Sequence, residues 1–230
     1  MDYSYIRIDS QLSSLPTLAQ KYKSLRLSAL TQSSGSFSST YDIESRFTDE
    51  FWESRLQLPS RETFVCVAHA PGISAGEGEW VAQVTLLGPI PASSYNLPEA
   101  AQQPPVVPDE IEEKWQMLSL YTLPNHRGKG IGKMLCSEVF LWLKTKHVAD
   151  REQQLKQLCV RIMVKPENTV TVKLYEGLGF VQAGRCTLAE ALRANGDAEM
   201  VPEDGGGQKY NERTGSIMAA TFRSHVVIVT

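Results

Sequence analysis

Arg127, Gly128, Lys129, Gly130, Ile131, Gly132 and Lys133 put three cations and three glycines into seven consecutive positions. Strand-like sequence ends at Pro124, and Ile131, Met134, Leu135, Val139 and Trp142 recur at helical spacing on the other side. Glycines let the backbone turn tightly and expose its amide hydrogens. Free amides at a helix start, with the positive end of the helix dipole behind them, form a seat for an anion. The chemistry expected is therefore the holding of a phosphate or pyrophosphate group at the end of a strand. Two phosphate loops fail on spacing. A Walker A loop would need glycine where Arg127 stands and a hydroxyl where Met134 stands. A dinucleotide fingerprint would need its third glycine where Lys133 stands.

The elements that must position this loop are legible as hydrophobic periodicity. A first strand is expected over Ser4 to Ile8, a helix from Leu12 to about Leu30, a loop over Thr31 to Thr40 and a second helix from Ile43 to Leu56. Strands follow at Glu62 to Ala70 and Glu79 to Leu87, joined by the turn chemistry of Pro71-Gly72 and Gly76-Glu77-Gly78. Gly88 to Lys114 holds six of the chain's 12 prolines and is expected to lack regular structure. Beyond it come a strand over Trp115 to Leu123, the glycine turn with a helix to His147, and a strand over Leu158 to Val164. Strand, crossover helix and strand make these two strands parallel neighbours. A helix from Asn168 to Leu178, a strand Phe180 to Cys186, a loop Asn195 to Gly215, and strands Ser216 to Phe222 and His225 to Val229 complete a single domain.

Arg127-x-x-Gly130-x-Gly132 resembles the pyrophosphate loop of the GNAT superfamily of N-acetyltransferases, Gln/Arg-x-x-Gly-x-Gly/Ala between a strand and a helix. A second stretch, Val164-Lys-Pro-Glu-Asn168 followed by Leu174-Tyr-Glu-Gly-Leu-Gly-Phe180, is similar to that superfamily's second motif, and the element order agrees. The resemblance implies an α/β fold of the GNAT-like acyl-CoA N-acyltransferase type, a mixed sheet of about seven strands with about four helices. It further implies acetyl-CoA (coenzyme A) as the cofactor, a ternary complex and direct transfer to a primary amine of a small molecule or peptide. The same fold without turnover, an acyl-CoA-binding or sensor module, is the alternative.

Carried over by position, the resemblance implies that backbone groups of Tyr121, Thr122 and Leu123 line the pantetheine arm. Amides of Arg127, Gly128, Lys129, Gly130, Ile131, Gly132 and Lys133 would hold the pyrophosphate, with Asn168 near the pantetheine. It places the Tyr175 hydroxyl beside the thioester sulfur, as the acid for the leaving thiolate. Glu113, in the acidic run before the central strand, is the candidate base, since several relatives carry a glutamate there. His126 and His147 are set aside as exposed flanks of the helix. The family pattern is departed from at Val170 and Val172, where alanine is frequent, and at Gly177, which weakens its helix by about 0.5–1 kcal/mol.

Composition narrows the partners. With 23 Lys+Arg against 26 Asp+Glu, the net charge is −3, which argues against electrostatic binding of nucleic acid or membrane. At 42% hydrophobic and 21% charged, the 230 residues are too apolar for disorder throughout. Cys66, Cys136, Cys159 and Cys186 lack CxxC spacing and are expected to be reduced core residues, with no metal site. No leader or spanning segment is evident, so a cytoplasmic setting is expected, with the nucleus open, as a monomer or homodimer.

Overall fold

The computed structural model describes residues 1–149 and 156–223. Among the described residues seven strands form one sheet in the order β1-β2-β3-β4-β5-β7-β6, with β1 Asp2–Arg7, β2 Arg61–His69, β3 Glu79–Leu87, β4 Glu112–Thr122, β5 Gln157–Val164, β6 Val181–Cys186 and β7 Gly215–Arg223. The sheet is mixed: β1 runs antiparallel to β2, β4 parallel to β5, and β7 antiparallel to both β5 and β6. The parallel pair is joined by the long helix α5, Ile131–Ala149, as a crossover requires. The expected strand His225 to Val229 lies outside the described residues.

The helices exceed expectation in number. Besides α5 there are α1 Leu15–Gln32, α2 Tyr41–Glu44, α3 Asp49–Gln57, α4 Ala92–Tyr95, α6 Thr169–Glu176, α7 Leu188–Ala194 and α8 Gly207–Asn211, eight among the described residues against about four expected. Three of the additions, α2, α4 and α8, are single turns. Helix α1 begins at Leu15, three residues later than its apolar pattern, because Pro16 suits a first turn, where no amide partner is needed. The helix expected over Ile43 to Leu56 breaks in two at Thr48, whose hydroxyl caps α3 by accepting from the Phe51 amide at 3.3 Å. Helix α7 falls where no element was expected. Its signal is a capping box, in which the Thr187 hydroxyl accepts from Glu190 and the Glu190 carboxylate accepts from the Thr187 amide.

Chain contacts gather into two compact units. The first comprises residues 1–86 and 119–140, the second 87–118 and 141–230. In the first, α1 buries Leu15, Ala19, Tyr22, Leu25 and Ala29 with Trp52 of α3, Val65 and Val67 of β2, and Tyr121 near the end of β4. In the second, Ala101, Ala183, Cys186 and Ile217 form a small core, and the Trp115 and Trp142 rings meet edge to face at 5.8 Å. Along α5 the buried ridge is Ile131, Leu135, Val139 and Leu143, while Met134, expected in that stripe, is 45% exposed. All four cysteines are buried and free, and burial pushes the Cys66 and Cys186 thiols up to about 11 and Cys136 to about 12. No helix among the described residues is long and apolar enough to cross a membrane.

Candidate functional site

The parallel ladder between β4 and β5 is short. It runs from Glu112 opposite Gln157 to Gln116 opposite Arg161, whereas β4 continues to Thr122 and β5 to Val164. Past that rung β5 keeps pairing with β7, so only its β4 side gives up its partners. Near the end of β4 the Leu123 amide donates to the Val81 carbonyl at 2.8 Å, toward β3. Because main-chain groups alternate along a strand, the Thr122 amide and carbonyl face the opposite edge.

From there the chain makes a tight turn over Pro124 to His126, in which the Arg127 amide donates to the Pro124 carbonyl at 3.1 Å. Gly128 and Gly130 then adopt φ of +75° and +77°, with no atom within 4 Å of where a β-carbon would stand. The first helical bond of α5 is from the Met134 amide to the Gly130 carbonyl at 3.0 Å. Between these two points the six amides of Gly128 to Lys133 donate to nothing among the described residues. Open space, left-handed glycines and six unspent donors at the positive end of a 19-residue helix suit a diphosphate.

The cations around this cradle have separate tasks. Arg127 donates from Nε to the Thr122 carbonyl and from Nη2 to Ser33 Oγ, both at 2.9 Å, and its guanidinium lies 5.5 Å from the Tyr121 ring centre. With its amide used as well, Arg127 braces the loop against β4 and the end of α1. Lys129 Nζ donates to Tyr3 Oη at 3.1 Å, and the same oxygen lies 3.1 Å from His126 Nδ1. His126 is thus buried under β1, where the sequence suggested an exposed flank. Lys133 is exposed and makes no ion pair among the described residues, so its charge remains available to an anion.

Tyr121 is buried, with its hydroxyl donating to Gln32 Oε1 at 3.3 Å. Two residues upstream Ser119 takes a positive φ of 58°, and its hydroxyl accepts from Arg26 Nη1 at 3.4 Å. Arg26 is itself held by Glu44 in a buried pair, with bonds of 2.9 and 2.5 Å. Burial works to raise the Glu44 carboxyl, but the hydrogen bonds and charge of Arg26 override it and hold the group below its ordinary value. The sequence carries one hint of this brace: Arg26 falls four residues after Tyr22 on the apolar stripe of α1.

In the second unit, Asn168 occupies the N-cap of α6, yet its side chain makes no capping bond and no other hydrogen bond among the described residues. Tyr175 is buried at the far end of the same helix. There the Phe180 amide donates to the Tyr175 carbonyl and the Gly179 amide to the Glu176 carbonyl, each at 3.0 Å, with Gly179 at φ +88°. This is a Schellman closure, completed by Tyr175 and Phe180 rings 5.3 Å apart. It explains why Tyr, Gly and Phe are spaced as they are.

Glu113 sits at the other end of β4 from the loop, opposite Leu158 in the ladder and nine residues before Thr122. Its carboxylate accepts from Trp115 Nε1 at 2.8 Å. Its neighbour Glu112 accepts from Gln157 Nε2 at 3.0 Å. Among the described residues, no group of three or more His, Cys, Asp or Glu could hold a metal ion.

No curated protein matches the chain. Solved structures of the same fold include an acetyltransferase of the GNAT family from Streptococcus pneumoniae, at 13% identity and TM-score 0.55, with 96% of this chain and 99% of that one covered. Another is the ribosomal-protein-S18-alanine N-acetyltransferase from Escherichia coli, at 14% identity and TM-score 0.50, with 100% and 99% covered. A third is Arabidopsis thaliana NAA60 in complex with acetyl-CoA, at 15% identity and TM-score 0.52, with 96% and 98% covered. Residues 105–182, which span β4, the amide cradle, β5 and α6, match the family described as the acetyltransferase (GNAT) domain. Over residues 105–182 the chain is thus similar to a GNAT acetyltransferase domain, and its fold is that of these solved structures.

Proposed function

We propose that the 230 residues act as a single N-acetyltransferase domain that moves an acetyl group from acetyl-CoA to a primary amine of a small molecule or peptide, by direct attack in a ternary complex. The observation that carries this reading is the row of six unspent amides from Gly128 to Lys133 at the start of α5. The complex of Arabidopsis thaliana NAA60 with acetyl-CoA, in the same fold, supports the choice of cosubstrate. Four buried, free thiols support a reducing, cytoplasmic setting.

Bound there, acetyl-CoA supplies an activated acetyl carbonyl and a thiolate leaving group. The chain's own groups then divide the work. Amides 128–133 and the Lys133 ammonium hold the diphosphate charge, and Arg127 keeps the loop tied to the strand end. The Thr122 amide, on the edge away from β3, donates to the carbonyl oxygen as negative charge develops on it. Asn168, with its side chain uncommitted, hydrogen-bonds the pantetheine. Tyr175 donates its phenolic proton toward the departing sulfur, whose pKa as a thiol is about 8.5. The amine must lose a proton as its nitrogen bonds to carbon. A lysine-type amine has pKa about 10.4, so only ~1 in 10³ is neutral at pH 7. Water takes that proton, because the carboxylate of Glu113, the other candidate, is engaged by the Trp115 indole nine residues of strand before Thr122.

The test pairs thioester consumption over an amine panel with calorimetry of acetyl-CoA on the wild type and Gly130→Glu. A glutamate there places a like charge in the cradle at a left-handed position, and affinity is expected to fall by at least ~100-fold. Binding without turnover on any amine would favour the acyl-CoA-binding module. Absence of binding would remove both.

A further inference from the structure

Arg161 stands on the last rung of the β4–β5 ladder, opposite Gln116, and is 1% exposed. Its Nε donates to Gln116 Oε1 at 2.8 Å and its Nη1 to the Tyr95 carbonyl at 2.7 Å, with the guanidinium 3.8 Å from the Tyr95 ring centre. Gln116 is itself oriented by donating to Asn195 Oδ1 at 3.2 Å. A guanidinium has five N–H donors. Nη2 and the second hydrogen of Nη1 therefore find no partner among the described residues.

The charge is equally unanswered. Buried arginines and lysines are ordinarily paired, and two others here follow the rule: Arg26 with Glu44, Lys114 with Asp109. Arg161 has no ion pair among the described residues. The groups that act on its charge are Tyr95, Cys159 and Cys186, and burial pushes all three upward, so each is neutral at pH 7. Two carboxylates of the same unit are committed to other partners, Glu190 to Arg213 and Glu112 to Gln157. A desolvated cation with a free edge, at the rung where β4 and β5 stop pairing, is built to receive an anion that the chain does not supply.

We propose that Arg161 is the receptor for a carboxylate on the acceptor, so that the preferred substrates are amines that also bear a carboxylate, such as amino acids or peptides. This rests on the transferase reading and narrows it. The matched pairs that test it are β-alanine against β-alaninamide and lysine against cadaverine. In the wild type, kcat/KM is expected to favour the carboxylate member by at least ~10-fold. In Arg161→Gln that ratio is expected to fall to about one while acetyl-CoA affinity stays unchanged. A purely structural arginine would lower both members alike. A wild-type ratio at or below one, or a ratio unaffected by the substitution, overturns the proposal.

A second readout does not depend on turnover or on a folded variant. Propionate is expected to raise the Tm of the wild type, and to compete with the amine wherever an amine is acetylated. If no amine reacts, the transferase reading fails, and the propionate shift still decides this one: a shift that persists with the diphosphate cradle saturated by coenzyme A supports a carboxylate seat at Arg161, and its absence removes it.

Discussion

The Tyr175 ring packs on Phe180 at 5.3 Å, so its replacement by phenylalanine keeps that contact and deletes only the hydroxyl. Tyr175→Phe is expected to lower turnover by ~10-fold or more while leaving acetyl-CoA affinity nearly unchanged, in steady-state kinetics and calorimetry. Equal turnover would return Tyr175 to its part in the Schellman closure. Glu113 presents the opposite case. Its carboxylate is engaged by the Trp115 indole at 2.8 Å, nine residues of strand from Thr122. Glu113→Gln is expected to retain activity within ~3-fold, with the alkaline rise of the pH-rate profile unmoved. A ~100-fold loss together with a lost pKa in that profile would make Glu113 the base. What was legible at this scale was whatever is local in sequence. The spacing of Gly128, Gly130 and Gly132 announces a turn with exposed amides. The destination of the Arg127 guanidinium, Ser33 at 94 positions away, and of the Lys129 ammonium, Tyr3 at 126 positions, has no local signature.

At the level of elements, the proposed site depends on β4, which takes a positive φ at Ser119 and runs on past its last rung with β5. The left-handed turn of the backbone at Ser119, φ 58°, is braced from α1 by Arg26, and Glu44 of α2 balances the buried Arg26 charge. Glu44→Gln would strand a buried guanidinium, at an expected cost of about 3–5 kcal/mol, read as a lowered Tm. The pH dependence carries a sign that can be checked. The folded Glu44 pKa lies below its ordinary 4.5, so its stabilisation is present above that value and lost as pH falls through the folded pKa. The variant is therefore expected to show a flatter loss of Tm between pH 5 and 3 than the wild type. Element type was readable wherever apolar periodicity was long, as in α1 and α5. It was missed where a cap decided the matter: Thr48 splits one expected helix, and the Thr187–Glu190 capping box creates α7 inside a stretch whose apolar residues are too few to show a period.

At the level of the whole molecule, sequence similarity is concentrated in residues 105–182, but the sheet is not. Strand β7 inserts between β5 and β6, and it pairs with β5 along eight rungs, from Gln157 opposite Arg223 to Val164 opposite Ser216. The isolated segment 105–182 would leave that edge of β5 bare, and it is expected to show no cooperative thermal transition by circular dichroism, whereas the full chain melts cooperatively. A sharp transition in the fragment would show that the matched segment is a domain by itself. Insertion of β7 between two earlier strands joins residues far apart in sequence, so the element order alone does not reveal it. The central claim, that main-chain hydrogens of the loop grip a diphosphate, is tested most directly by amide hydrogen exchange at Gly128 to Lys133 with and without coenzyme A. The six amides have no partner within the described chain and are expected to exchange rapidly alone and to slow by ~10-fold or more on saturation. Binding that leaves all six exchanging at their original rates would contradict the account.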